Sequence, residues 1–215
     1  MFWLLKHIRL LTYAGAVMFG IAIILYAKTQ TSIPIQQQGL LIKYFANTSV
    51  LFLYFTLLAS PLYATFPKLP LRAVYIKARK ALGVTAFFFG LFHALMAFFI
   101  SIGGFSGLSN LTGIYLISII LGAISLFILT ILAITSLKYC IKKLGRYWKP
   151  LHRMIYIAGI FILIHATIMG SDIFSPSNIS SWGLIILLIM EAIRCWKYIK
   201  IRKKSGQSID VKDKV

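Results

Sequence analysis

Residues 81–102 read ALGVTAFFFGLFHALMAFFISI, a run of 22 without one charged side chain and with a single histidine, His93, just past its middle. Coiled as an α-helix at 1.5 Å per residue it is about 33 Å long, against the roughly 30 Å hydrocarbon layer of a bilayer. Five more runs match it: Leu10 to Ala27, Tyr44 to Phe66, Ile114 to Leu137, Leu151 to Met169 and Ile179 to Trp196, and no acid occurs in any of them before Glu191. Membrane β-strands are about half as long, so helices are the reading. Hydrophobic residues make up 60% of the 215 and the mean hydropathy is +0.87, above the roughly 45–50% apolar share of a soluble domain. The expected fold is an all-α integral membrane bundle of six transmembrane helices.

Charge sets the orientation. The formal net charge of +19 would suit nucleic acid only if the cations covered one soluble surface. They lie instead between the apolar runs. With six crossings, every one of the 23 lysines and arginines except Lys28 and Lys43 falls on a single side. The positive-inside rule makes that side cytoplasmic, so both termini are expected inside and no nucleic-acid partner is expected. Residues 1–200 then form one six-helix domain and 201–215 a polar cytoplasmic tail. The first run follows a basic start as a signal peptide would, but Leu25 stands where a cleavage site needs a small residue, so the run is expected to be retained. Cys140 and Cys195 fall at cytoplasmic helix ends, where thiols stay reduced. Pro61 in the second run removes one helical hydrogen bond and predicts a bend. The segments 103–107 (GGFSG) and 170–172 (GSD) are expected as tight outer turns, and Tyr115, Tyr139, Trp148 and Trp182 as interfacial anchors.

Histidines carry the functional signal. His93 lies about 13 residues into the third helix, roughly 20 Å from its cytoplasmic start. His165 lies 13 residues beyond His152, which opens the fifth helix at the same boundary. His93 and His165 are therefore expected at one depth, where ionisable groups are costly and face the bundle interior with a partner. Packing against a neighbouring helix is one role for such histidines; shared ligation of one metal is the other. Gly83, Ala86, Gly90, His93 and Ala97 recur at spacings of 3, 4, 3 and 4, a small-residue stripe that suits close helix packing or leaves room for a flat macrocycle. No cysteine or carboxylate is placed to complete a zinc tetrahedron. Haem needs only two axial nitrogens, and two histidine ligands would make an electron-transfer centre. His152 is turned about 140° from His165 on an ideal helix, and its level on the third helix holds Arg79 and Lys80, leaving an inner, second haem without an obvious partner; His7 is a weak one. Arg146, Lys149 and Arg153 suit haem propionates or the phosphate of a flavin nucleotide such as FMN, or serve topology alone.

Two motifs add a family. Lys77-Ala78-Arg79-Lys80-Ala81-Leu82-Gly83, continuing through Phe87 and Leu91 to His93, resembles the third helix of the ferric reductase-like transmembrane family. Thr135-Ser136, then Leu144-Gly145-Arg146-Tyr147-Trp148-Lys149-Pro150-Leu151-His152-Arg153, then Tyr156 and His165, is similar to the branch formed by haem-binding membrane subunits of the bacterial periplasmic methionine-sulfoxide reductase system. Thr56-Leu57-Leu58-Ala59-Ser60-Pro61-Leu62 extends the likeness more weakly, so that it covers the six-helix core. The resemblance implies a multi-pass protein of the bacterial inner membrane, a b-type cytochrome taking electrons from a cytoplasmic flavin reductase or a membrane quinol. The implied acceptor is a periplasmic molybdenum-containing reductase subunit that repairs oxidised methionine. It also implies haem b at His93, His152 and His165, and the broader family suggests direct reduction of ferric chelates as an alternative. A small transporter or scaffold is the alternative outside redox chemistry. The chain departs from the family in having Ala166, Thr167 and Ile168 after its last histidine, where aromatic residues are usual, and in carrying no flavin or nicotinamide domain after the sixth run.

Overall fold

A computed structural model describes the backbone of residues 2–170 and 179–212 and the side chains of 3–170 and 182–200. Helices run in the order α1 (Phe2–Gln30), α2 (Pro34–Thr65), α3 (Arg72–Met96), α4 (Phe105–Leu108), α5 (Gly113–Ile134), α6 (Lys138–Leu144), α7 (Trp148–His152), α8 (Ile155–Ile168) and α9 (Ile179–Lys212). No strand occurs among the described residues.

Local chemistry accounts for the element ends. Pro34 opens α2, where its missing N–H costs nothing because the first helical N–H groups have no intrahelical acceptor. Past Met96, α3 widens into a π-helical stretch, Ala97–Ile102. Gly103 and Gly104 then take φ of 80° and 73°, left-handed values that glycine adopts without the Cβ penalty. Gly107 completes this turn by lying directly on the Ile102 carbonyl, in space where a Cβ would collide.

α2 is the central post. It packs on α1, α3 and α9, while α5 packs on α8 and α3. The shared core contains Leu53, Tyr54 and Leu57 of α2, Ala86 of α3, Ile128 and Leu132 of α5, Ala158 of α8 and Leu187 of α9. Lipid tails are as apolar as leucine, so helices in a bilayer associate through close packing and a few hydrogen bonds. Small residues mark those contacts here. Ser49 Oγ donates to the Ala86 carbonyl at 2.8 Å, Ser125 Oγ reaches the Ala158 carbonyl at 3.3 Å, and Gly183 meets the ring of Tyr54. Large apolar side chains point outward instead, among them Phe92, Phe127 and Leu188, the arrangement expected against lipid and not against water.

Among the described residues four helices are long and apolar enough to cross a membrane: Trp3–Gln30, Pro34–Thr65, Arg72–Ile102 and Gly113–Ile134. The fifth expected crossing is not one straight helix, because Lys138–His152 and Ile155–Ile168 meet at a bend of 43°. Counting that pair as one span gives five. The sixth expected crossing falls on α9, whose start borders residues 171–178, outside the described set together with Asp172. α9 continues as helix to Lys212, through most of the stretch expected as a polar tail. Pro61 lies within the last turn of α2 and is fully buried.

Candidate functional site

The two histidines expected at one depth come together. His93 on α3 and His165 on α8 have ring centres 6.4 Å apart and planes inclined at 73°. Each is held by a neighbouring helix through the same atom. His93 Nδ1 lies 3.0 Å from the Ile42 carbonyl oxygen of α2, and His165 Nδ1 lies 2.8 Å from the Ser118 carbonyl oxygen of α5. A carbonyl only accepts, so each Nδ1 carries the proton and each Nε2 keeps a free lone pair. That pairing of a carbonyl-anchored nitrogen with a basic one is how metal-ligating histidines are usually oriented. Two imidazoles on either side of one ion, with nitrogens about 2 Å from it, have ring centres roughly 6 Å apart. The observed separation fits.

The donor set also says which kind of metal fits. Among the described residues no three His, Cys, Asp or Glu side chains converge, so the pair alone cannot complete a zinc tetrahedron. It suits a metal that arrives with its own equatorial ligands, as haem iron does. α3 and α8 are positioned for this by others: α3 leans on α2, and α8 on α5. The stripe leading to His93 serves that packing. A Cβ on Gly83 would sit 3.4 Å from Thr56 and one on Gly90 3.0 Å from Ser49 Oγ, so of its two expected uses the stripe takes close contact with α2 at these positions.

His152 stands apart. It ends α7, ahead of the 43° bend that separates it from the helix of His165, and its contacts are made with Thr135 and Trp148. Its Nε2 is 3.1 Å from Thr135 Oγ1, a hydroxyl that already donates to the Ile131 carbonyl at 2.7 Å. Having spent its proton, Thr135 accepts here, so His152 carries its proton on Nε2, the opposite tautomer from the His93 and His165 pair. The ring rests on Trp148 with centres 4.2 Å apart, and Trp148 Nε1 donates to the Thr135 carbonyl at 3.1 Å. Trp148, expected as an interfacial anchor, forms a wall for His152. Arg79 donates to Ser60 Oγ at 2.9 Å. Arg146 and Arg153 are both exposed, and the Arg146 guanidinium lies over its neighbour Tyr147, 4.9 Å from the ring centre. His7 bonds the Trp3 carbonyl of its own helix at 3.0 Å.

With this geometry in view, a family model described as "Ferric reductase like transmembrane component" matches residues 44–164. The chain belongs to the ferric reductase-like transmembrane family. The matched stretch contains His93 and His152 and ends one residue before His165. Curated relatives are similar over longer spans. The "Protein-methionine-sulfoxide reductase heme-binding subunit MsrQ" of Cronobacter sakazakii is 34% identical over 153 residues, 68% of this chain and 71% of the relative. The proteins of the same name from Enterobacter sp. (strain 638) and Klebsiella pneumoniae are 34% and 33% identical, each over 71% of this chain. Within the family this chain is similar to those subunits, and it is a multi-pass protein of the bacterial inner membrane.

Sequence reasoning missed three members of the site: the Ile42 carbonyl, Ser118, and Gly122, where a Cβ would stand 3.0 Å from His165 Nδ1. A backbone acceptor leaves no trace in residue identity. Ser118, Gly122 and Ser125 do leave one, as the small residues recurring at spacings of 4 and 3 in an otherwise bulky apolar run.

Proposed function

We propose that this protein is the haem b-carrying electron-transfer subunit of a two-part reductase, crossing the membrane six times with both termini in the cytoplasm. Electrons enter from a cytoplasmic flavin donor or a membrane quinol and leave to a periplasmic methionine-sulfoxide reductase partner. The observation that carries this reading is the facing pair His93 and His165, with both Nδ1 atoms tied to carbonyls and both Nε2 atoms free. The names of the relatives, which describe heme-binding subunits of such a reductase, point the same way.

His93 and His165 would hold the iron from α3 and α8. Bound there, haem supplies one-electron redox chemistry, and two histidine ligands leave no position for oxygen. The protein's own part is to hold the imidazoles in a fixed tautomer and to surround them with lipid-facing apolar helices that keep water out. His152, with Arg79 and Lys80 at its level and Arg146 and Arg153 on the same cytoplasmic side, is assigned to an inner site that takes a second haem or the phosphate of FMN. A bis-histidine haem finds only one imidazole there, so the outer pair is the primary centre.

The test is the absorption spectrum and pyridine haemochrome count of the purified chain. A haem band that His93→Ala and His165→Ala each remove supports the assignment, and an unchanged band in either variant ends it. The family name matched also favours direct reduction of ferric chelates. Ferric reductase assays on intact cells, with and without a soluble partner, separate the two.

A further inference from the structure

We propose that α5 sets the His165 ligand, with Ser118 and Gly122 as positioning residues that fix the tautomer, ring plane and basicity of its imidazole. The inference rests on the haem reading above and adds to it the residues that tune one of the two ligands.

Ser118 is fully buried and meets residue 165 three times. Its carbonyl takes the Nδ1 proton at 2.8 Å. Its hydroxyl donates to the His165 carbonyl at 3.0 Å and lies 3.1 Å from Nδ1, placed to accept a share of the same proton. The backbone and side chain of one residue thus clasp the backbone and side chain of the other, which pins the depth of His165 against α5 as well as its tautomer. One turn along α5, Gly122 lets the imidazole lie against the helix: a Cβ there would stand 3.0 Å from Nδ1 and 3.1 Å from Cε1. Cε1 joins the two ring nitrogens, so a push at this point moves the ligating Nε2. His93 is set differently, by the single Ile42 carbonyl. The two ligands are therefore unequally restrained.

Ser125 provides an internal control. It lies on the same face of α5 two turns below Ser118 and also reaches α8, through Ser125 Oγ to the Ala158 carbonyl at 3.3 Å, but it touches no ligand. If Ser118 served only to join the helices, the two serines would behave alike.

The consequences are spectroscopic. Imidazole planes at 73° give a strongly anisotropic low-spin ferric EPR signal, whereas parallel planes give a rhombic one. Hydrogen bonding from Nδ1 raises the basicity of the ligating nitrogen, which favours ferric over ferrous iron and lowers the midpoint potential. Full-length protein in native membranes or detergent should be compared as wild type, Ser118→Ala, Gly122→Ala and Ser125→Ala, by haem count, EPR and redox titration. Expected are a shift of the largest g value and a higher potential in Gly122→Ala, the same in smaller degree in Ser118→Ala, and wild-type values in Ser125→Ala. Wild-type g values and potentials in haem-replete Ser118→Ala and Gly122→Ala overturn the proposal, as does a Ser125→Ala shift equal to that of Ser118→Ala. If Gly122→Ala does not accumulate, Ser118→Ala decides alone, since it deletes one oxygen. Absence of haem from the wild type overturns the parent reading instead.

Discussion

His93 and His165, 72 residues apart in the chain, face each other at 6.4 Å across the gap between α3 and α8, each with its outer nitrogen bonded to a carbonyl of a third helix. Helices α3 and α8 owe their separation to α2 and α5, which they lean on. The pair is thus a product of four helices, and its chemistry is set as much by the two that lend only backbone and small residues.

Loss of either imidazole should empty the centre, and loss of His152 should not. His93→Ala and His165→Ala are expected to abolish the outer haem band. His152→Ala should leave that band in place, because His152 is bonded to Thr135 and Trp148 supports its ring. Spectra of the three purified variants check this, and disappearance of all absorption in His152→Ala would contradict it.

The Thr135 hydroxyl is expected to matter more than its size. Thr135→Val keeps the shape but leaves the half-buried His152 Nε2–H without its acceptor, a loss of about 1 kcal/mol, the net worth of one ordinary hydrogen bond. Thr135→Ser retains the hydroxyl and should stay near wild type. Thermal unfolding in detergent, followed by circular dichroism, should rank wild type and Thr135→Ser together above Thr135→Val.

The α2–α3 contact should tolerate loss of a bond better than gain of bulk. Ser49→Ala removes the bond to the Ala86 carbonyl, and interhelical hydrogen bonds in membranes are worth about 0.6 kcal/mol on average. Gly90→Leu must fit a side chain where a Cβ alone would already lie 3.0 Å from Ser49 Oγ, so α3 has to move and His93 with it. Haem content should therefore survive Ser49→Ala and fall several-fold in Gly90→Leu.

At the turn that follows α3, Gly107→Ala places a methyl group onto the carbonyl of Ile102, the last residue of the π-helical stretch Ala97–Ile102, which has to shift to make room. A cost of about 1–3 kcal/mol is expected, the range for overpacking. Gly113→Ala, with open space at its Cβ, is the matched control. Melting temperatures of the two variants should differ by several degrees.

Much of this was legible in the chain itself. A span needs about 20 apolar residues whatever its neighbours, so the runs that became α1, α2, α3 and α5 could be drawn from the sequence alone. The depth of a histidine follows from counting residues along a helix, which put His93 and His165 level before any packing was known. Counting could not relate the faces of His152 and His165, because Lys138–His152 and Ile155–Ile168 meet at an angle and a helical wheel cannot be carried across a bend. It gave no warning that His152 would adopt the opposite tautomer, since that depends on a hydroxyl on another helix whose proton is already engaged.

The sequence by itself determined that the chain is an all-helical membrane bundle and that His93 and His165 sit at matching counts along their runs, because hydrophobic length and helical rise are properties of single segments. Only the tertiary structure decided that those imidazoles meet, that the Ile42 and Ser118 carbonyls take their Nδ1 protons, and that Gly122 gives His165 its place. Hydrogen bonds to backbone and close approaches to glycine depend on which helices are neighbours. That choice belongs to packing between segments, and no single segment encodes it.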